Sequence, residues 1–200
     1  MTCTGTQIGG TFDNVVVPAG QHCTLDGVRV TGKVSVQAGA GLQVTNNSGD
    51  STIGGDIKAD ACDFVELEST STSHRIVVGG HLSVQNCTGT SFSGGQGDST
   101  RLPPSSILVG GDVKCNNNAG GCVFDYFAIG GNVTCSGNFD CDLQSDSIGG
   151  NAVLNDNSGV GIAVRNSAIG GDLKCTGNAS AVTGPPNTVA GTKSGQCSAF

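Results

Sequence analysis

Sixteen acidic side chains, nine basic ones, three histidines and ten cysteines are what this 200-residue chain offers to chemistry. Four of the acids, Asp125, Asp140, Asp142 and Asp146, fall close together in the sequence. Calcium is held by six or more oxygens converging on one point. With neighbouring Asn and main-chain oxygens these four are the candidate calcium ligands, against the plainer reading of a solvated acidic face. Asp-x-Lys recurs at Asp56/Lys58, Asp112/Lys114 and Asp172/Lys174. A carboxylate beside an amine is what calcium-assisted polysaccharide cleavage draws on, yet it is equally an exposed ion pair worth under about 1 kcal/mol. Glycosidase chemistry needs a carboxyl of raised pKa inside a cleft, and nothing in the sequence marks a cleft. His22, His74 and His81 are scattered, no Cys-x-x-Cys pair occurs, and zinc is disfavoured. No Gly-x-Ser-x-Gly elbow is present. The set reads as non-enzymatic, with no cofactor unless calcium.

The elements that must position these groups follow from an internal repeat. Its clearest copies are Ile107-Leu-Val-Gly-Gly-Asp-Val-Lys-Cys115, Ala128-Ile-Gly-Gly-Asn-Val-Thr-Cys135, Ser147-Ile-Gly-Gly-Asn-Ala-Val-Leu154 and Ala168-Ile-Gly-Gly-Asp-Leu-Lys-Cys175. Taking the apolar residue before each glycine pair, or before Thr-Gly and Ala-Gly in the same place, as an anchor gives Ile8, Val30, Ile53, Val78, Val109, Ile129, Ile148, Ile169 and Val189. The last four steps are 20, 19, 21 and 20 residues, and the earlier ones are longer, as loops inserted at corners would make them. Leucine-rich repeats need more Leu than this chain has, and propeller blades need about twice the length. The expected fold is an all-β, right-handed parallel β-helix of about nine turns with a triangular cross-section, forming a single domain over 1–200.

Alternation along strands assigns the interior. Four residues after the anchor stand Phe12, Val34, Ile57, Leu82, Val113, Val133, Ala152 and Leu173. Six after it stand Val36, Ala59, Val84, Cys115, Cys135, Leu154 and Cys175, with Lys58, Ser83, Lys114, Thr134 and Lys174 outward between them. A further inward strand appears as Cys122/Phe124, Cys141/Leu143 and Ile162/Val164. The glycine pair marks a corner where the chain takes φ > 0 or passes close to its neighbour. Nine after the anchor come Asn118, Asn138, Asn157 and Asn178, suited to bonding from turn to turn and satisfying buried carbonyls.

The ten cysteines suit a disulfide set made in an oxidising compartment. Cys62–Cys87 share one corner column, and turns about 4.8 Å apart fall within disulfide reach. Cys115–Cys122 with Cys135–Cys141 would close within turns, whereas Cys115–Cys135 with Cys122–Cys141 would join turns vertically; the sequence leaves both open. Cys3–Cys23 and Cys175–Cys197 would clip the ends.

Composition removes other classes of function. A formal net charge of −7 opposes nucleic acid and anionic lipid as partners. Apolar runs are too short for a membrane-inserted helix. The chain opens on Met-Thr-Cys without a basic-then-apolar leader. The stretch Gly170-Gly-Asp-Leu-Lys-Cys-Thr-Gly-Asn178, followed by Pro185-Pro-Asn-Thr-Val-Ala-Gly191 and Gly195-Gln-Cys197, resembles a repeat-and-tail pattern of secreted bacterial proteins of uncharacterised function. That resemblance implies an extracellular β-helix and carries over no site residues.

Loops leaving a rigid scaffold are where recognition usually sits. Excursions at 60–75 and 91–104 nominate Asp63, Glu66, His74, Arg75 and Arg101 as partner-binding residues. The expected role is a secreted or cell-surface structural or adhesive solenoid, self-assembling end to end into filaments. The alternatives are a polysaccharide-binding or polysaccharide-cleaving protein and, less favoured, an ice-binding protein, whose threonine ranks are missing from the mixed outward columns.

Overall fold

The computed structural model describes residues 1–71, 73–89, 106–184 and 186–200. Arg101 and the excursion at 91–104 lie outside the described residues. Among those described there are 25 strands and no helix, and every strand pair is parallel. The chain is a β-solenoid of about nine turns with three walls.

Wall I holds the anchors in nine strands, from Thr11–Phe12 and Arg29–Val30 through Phe127–Ile129 to Thr188–Val189. Wall II also has nine strands, from Val15–Val17 through Val113–Asn116 and Val133–Ser136 to Lys193–Gly195. Wall III falls into two blocks. One contains Gly5–Ile8, His22–Asp26, Gly41–Thr45 and Phe64–Glu68, the other Cys122–Asp125, Cys141–Gln144 and Ala163–Arg165.

The expected columns stack residue on residue. Ile129 pairs with Ile148 and Ile148 with Ile169 on wall I. On wall II, Val113 pairs with Val133 and Cys115 with Cys135. Inward residues such as Leu82, Val113, Cys135 and Leu143 are fully buried, so alternate positions of each strand form one continuous apolar interior. The first anchor is the exception. Ile8 lies on wall III opposite Asp26 and is 70% exposed, whereas Phe12 pairs with Val30 and begins wall I. Gly9 and Gly10, both at positive φ, turn the chain from wall III to wall I and are not the stacked pair of the later turns.

Those later pairs are required by close approach. A Cβ on Gly110 would lie 2.5 Å from the Gly79 carbonyl oxygen, and one on Gly130 would lie 2.5 Å from that of Gly110. Each turn rests its glycine on the carbonyl of the turn before.

All ten cysteines pair: Cys3–Cys23, Cys62–Cys87, Cys115–Cys122, Cys135–Cys141 and Cys175–Cys197. The two pairs left open by the sequence therefore close within turns, joining wall II to wall III across one corner. Cys62–Cys87, at a Cα separation of 4.4 Å, instead links consecutive turns. Its sequence separation of 25 residues makes the loop-closure contribution about 3 kcal/mol. The double substitution Cys62→Ala/Cys87→Ala is expected to remove about that much, read from the urea midpoint at unchanged slope.

Candidate functional site

Three corners separate the walls, and each carries a ladder of polar side chains that fixes what its residues can do. Between walls II and III, Asn118 N–H donates to Asn138 Oδ1 at 2.9 Å, Asn138 to Asn157 at 3.0 Å, and Asn157 to Asn178 at 3.1 Å. Each Nδ2 reaches back to a buried carbonyl, as Asn138 does to Cys115 O at 2.8 Å. The ladder meets the Cys62–Cys87 cystine at one end, where Cys87 N–H donates to Asn118 Oδ1, and Gln196 at the other.

Between walls I and II runs an exposed ladder that absorbs the Asp-x-Lys motif. His81 N–H donates to Asp56 Oδ1, Asp112 N–H to His81 Nδ1, Asn132 N–H to Asp112 Oδ1, Asp172 N–H to Asn151 Oδ1 and Thr192 N–H to Asp172 Oδ1. The main-chain N–H of the following turn lowers the carboxyls of Asp56, Asp112 and Asp172 below the ordinary range. Of the lysines, Lys58 sits 3.4 Å from Asp56 as an exposed ion pair. These carboxylates cap main-chain donors.

The outer side of wall III holds the remaining functional groups. In its first block the Phe64 ring lies over Gly41, where a Cβ would stand 2.4 Å from Cε1, and meets His22 edge-on at 5.2 Å. Asp63, expected from the sequence, stands 3.3 Å from His22 Nε2. Glu66, also expected, accepts from Gln43 Nε2 at 3.2 Å, and the same nitrogen donates to Glu68. His74 and Arg75 are not on this face. They sit at the following corner, where His74 O accepts from Asn46 and Arg75 N–H donates to Asp50 Oδ1. Sequence reasoning did not single out His22, Gln43 and Phe64 for this face, because the register that sets Gly41 beside Phe64 is fixed only by the fold.

The second block gathers three of the four acids nominated for calcium. Asp142 Oδ2 accepts from Arg165 Nη2 at 2.5 Å. Asp125, one turn earlier, has its carboxyl pushed up to about 6, by burial first and then by the charge of Asp142. Burial also raises Asp142. Asp146, 3% exposed at the corner between walls III and I, accepts Phe127 N–H on Oδ1 at 2.8 Å, and burial raises it well above the usual range. Asp140 points elsewhere and accepts Gly161 N–H at 2.7 Å. Among the described residues no three His, Cys, Asp or Glu are grouped so as to hold a metal ion. Asp142 is thus engaged with Arg165, while Asp140 and Asp146 each accept a main-chain N–H.

Asp125 gives a pH prediction with a definite sign. Its folded pKa of about 6 stands above the ordinary 3.8, so its stabilising effect is full below about 3.8 and is lost as pH rises through about 6. The melting temperature of the wild type is expected to fall between about pH 4 and pH 7, and Asp125→Asn is expected to fall less. Thermal melts at constant ionic strength check this.

Wall I offers a shallow groove of about 420 Å³ over Val77, Leu108 and Ala128 beside the stacked glycines. Its outward row continues through Ser147, Ala168 and Thr188 and is mixed in type.

Fold and sites together define a class, the cystine-stapled parallel β-solenoid whose corners are polar ladders. No family model, curated protein or solved structure matches the chain.

Proposed function

We propose that this is a non-enzymatic structural or adhesive protein of an oxidising, extracellular setting. The observation carrying this reading is where the reactive side chains have gone. Ten cysteines are paired, the Asn column is buried in main-chain bonding, and the Asp-x-Lys carboxylates cap amide groups of the next turn. Rigidity is what such an arrangement supplies, and cystines persist outside the reducing cytosol. Self-association end to end is the assembly this reading favours. Among the described residues the strands Thr11–Phe12 and Thr188–Val189 each pair on one side only, and an unpaired edge is a template for another strand. Electron microscopy over a concentration series is expected to show rods lengthening with concentration. Uniform monomers throughout would remove the filament from the proposal, and titratable thiols in protein from its native source would remove the oxidising setting.

A polysaccharide partner is the second reading, favoured by the Phe64 face of wall III. An aromatic ring packed over a glycine beside His22, Gln43, Glu66 and Glu68 combines an apolar surface with hydrogen-bonding groups, as sugar recognition requires. Retention on immobilised neutral polysaccharide, lost in Phe64→Ala, is the outcome this reading expects. Equal migration of both proteins would contradict it.

A further inference from the structure

Four of the five buried side-chain atoms without a hydrogen-bond partner among the described residues belong to one cluster: Asp125 Oδ1, Asp142 Oδ1, Asp146 Oδ2 and Arg165 Nε. Buried polar atoms are normally satisfied, and a concentration of exceptions asks for a cause. The ladders supply one for Asp146.

At the corner between walls II and III the ladder residue makes two bonds to the turn before it. Its Oδ1 accepts the main-chain N–H of the residue above, and its Nδ2 donates to the carbonyl three residues before that one. Thus Asn138 takes Asn118 N–H and gives to Cys115 O, Asn157 takes Asn138 N–H and gives to Cys135 O, and Asn178 takes Asn157 N–H and gives to Leu154 O. The corner between walls III and I repeats the pattern. Asn187 accepts Ser167 N–H at 2.9 Å and donates to Val164 O at 2.8 Å, again three residues earlier. Asp146 occupies that column two turns further up, beyond Ser167, since its own N–H donates to Ser167 Oγ and its Oδ1 accepts Phe127 N–H. The same step counted back from Phe127 reaches Phe124. Asp146 Oδ2 therefore stands where the pattern puts a donor, and an ionised carboxylate has none to give.

We propose that Asp146 is held as a neutral carboxylic acid, its proton on Oδ2 donated to the Phe124 main-chain carbonyl, in the place an asparagine amide takes elsewhere in the ladders. The surroundings favour the neutral form. The side chain is buried, and the charged groups around it are the carboxylates of Asp125 and Asp142, the latter flanked by Asp140. Arg165, the nearby cation, is engaged with Asp142. Three acids and one guanidinium at this corner leave a surplus of negative charge, which a retained proton reduces. The second block of wall III is then closed by a proton, and it loosens when pH rises far enough to remove it.

The test uses the full chain as wild type, Asp146→Asn and Asp146→Ala, melted between about pH 4 and pH 9. The asparagine variant is expected to melt no lower than the wild type at about pH 7.5, and above it at the alkaline end. Its melting temperature is also expected to depend less on pH. The alanine variant is expected to melt below both throughout. Carbon-13 NMR of the Asp146 carboxyl in the wild type keeps the proposal falsifiable should either variant fail to fold, and a protonated-acid shift at about pH 7 is expected. An ionised-carboxylate shift would overturn the proposal, as would an asparagine variant less stable than the wild type at every pH. Calcium chloride that stabilises the wild type but not Asp146→Asn would also overturn it, assigning the carboxyl to a cation instead.

Discussion

Replacing Asn138 by alanine is expected to lower the stability of the folded chain by about 3 kcal/mol. The substitution leaves the buried Asn118 N–H unpaired and removes the amide bond to Cys115 O, which keeps only its place in the parallel ladder of wall II. Each such loss costs about 1–3 kcal/mol, more than the net worth of a bond made in water. Asn138→Asp is expected to behave almost as badly, since an ionised carboxylate accepts from Asn118 but cannot donate to Cys115 O. The exposed ladder provides the contrast. Asn151 also accepts a main-chain N–H, from Asp172 at 2.8 Å, but at an exposed corner where water replaces it. Asn151→Ala is expected to cost under about 1 kcal/mol. Urea denaturation of the three variants beside the wild type checks the ranking, and equal effects at 138 and 151 would mean that the interior ladder carries no special weight.

Gly130→Ala is the second large effect, expected to cost at least about 3 kcal/mol. The added Cβ would stand 2.5 Å from the Gly110 carbonyl oxygen, which is main chain and has no rotamer to move into. Relief requires turns to separate, and separation lengthens the neighbouring hydrogen bond from Gly130 N–H to Val109 O, now 2.8 Å. Because Gly149 rests in the same way on Gly130 O, the displacement is passed along the stack. Gly20→Ala isolates the other reason for a glycine. Its φ is +66° and nothing lies within 4 Å of the added carbon, so its cost is backbone strain alone, about 1–2 kcal/mol. Denaturation midpoints of the two variants separate steric from conformational demand.

Much of this architecture was legible in the sequence because a solenoid writes its period directly into the chain. From Val30 onward the anchor and interior columns stack as the spacing indicates, and the within-turn disulfides lay among the alternatives the columns allowed. The first turn misled because Gly9-Gly10 copies the spelling of the later pairs while doing a different job. They adopt positive φ at another corner, and a glycine letter does not say which freedom is used. Wall III was only half legible, since no glycine pair marks its strands and its first block alternates without a fixed spacing.

The site residues were legible as types and not as environments. Asp56, Asp112 and Asp172 were visible as carboxylates beside lysines, but their partners are amides a full turn away. Asp146 looked like one acid among four. Its column runs Phe127, Asp146, Ser167 and Asn187, four unlike residues, so no repeated letter announced a ladder there. Burial of a carboxyl is decided by the turn packed above it, which spacing alone does not specify.

Turns stacked in fixed register are what allow bonds between them to consume the polar side chains. Nuclear Overhauser contacts between main-chain protons of Ile129, Ile148 and Ile169 address this most directly. Rung-by-rung contacts from 129 to 148 and from 148 to 169, joined by contacts from the Asn138 side-chain amide to Cys115, are the expected result. A folded protein lacking them, or one placing Ile148 beside neither neighbour, would contradict the stack and every ladder built on it.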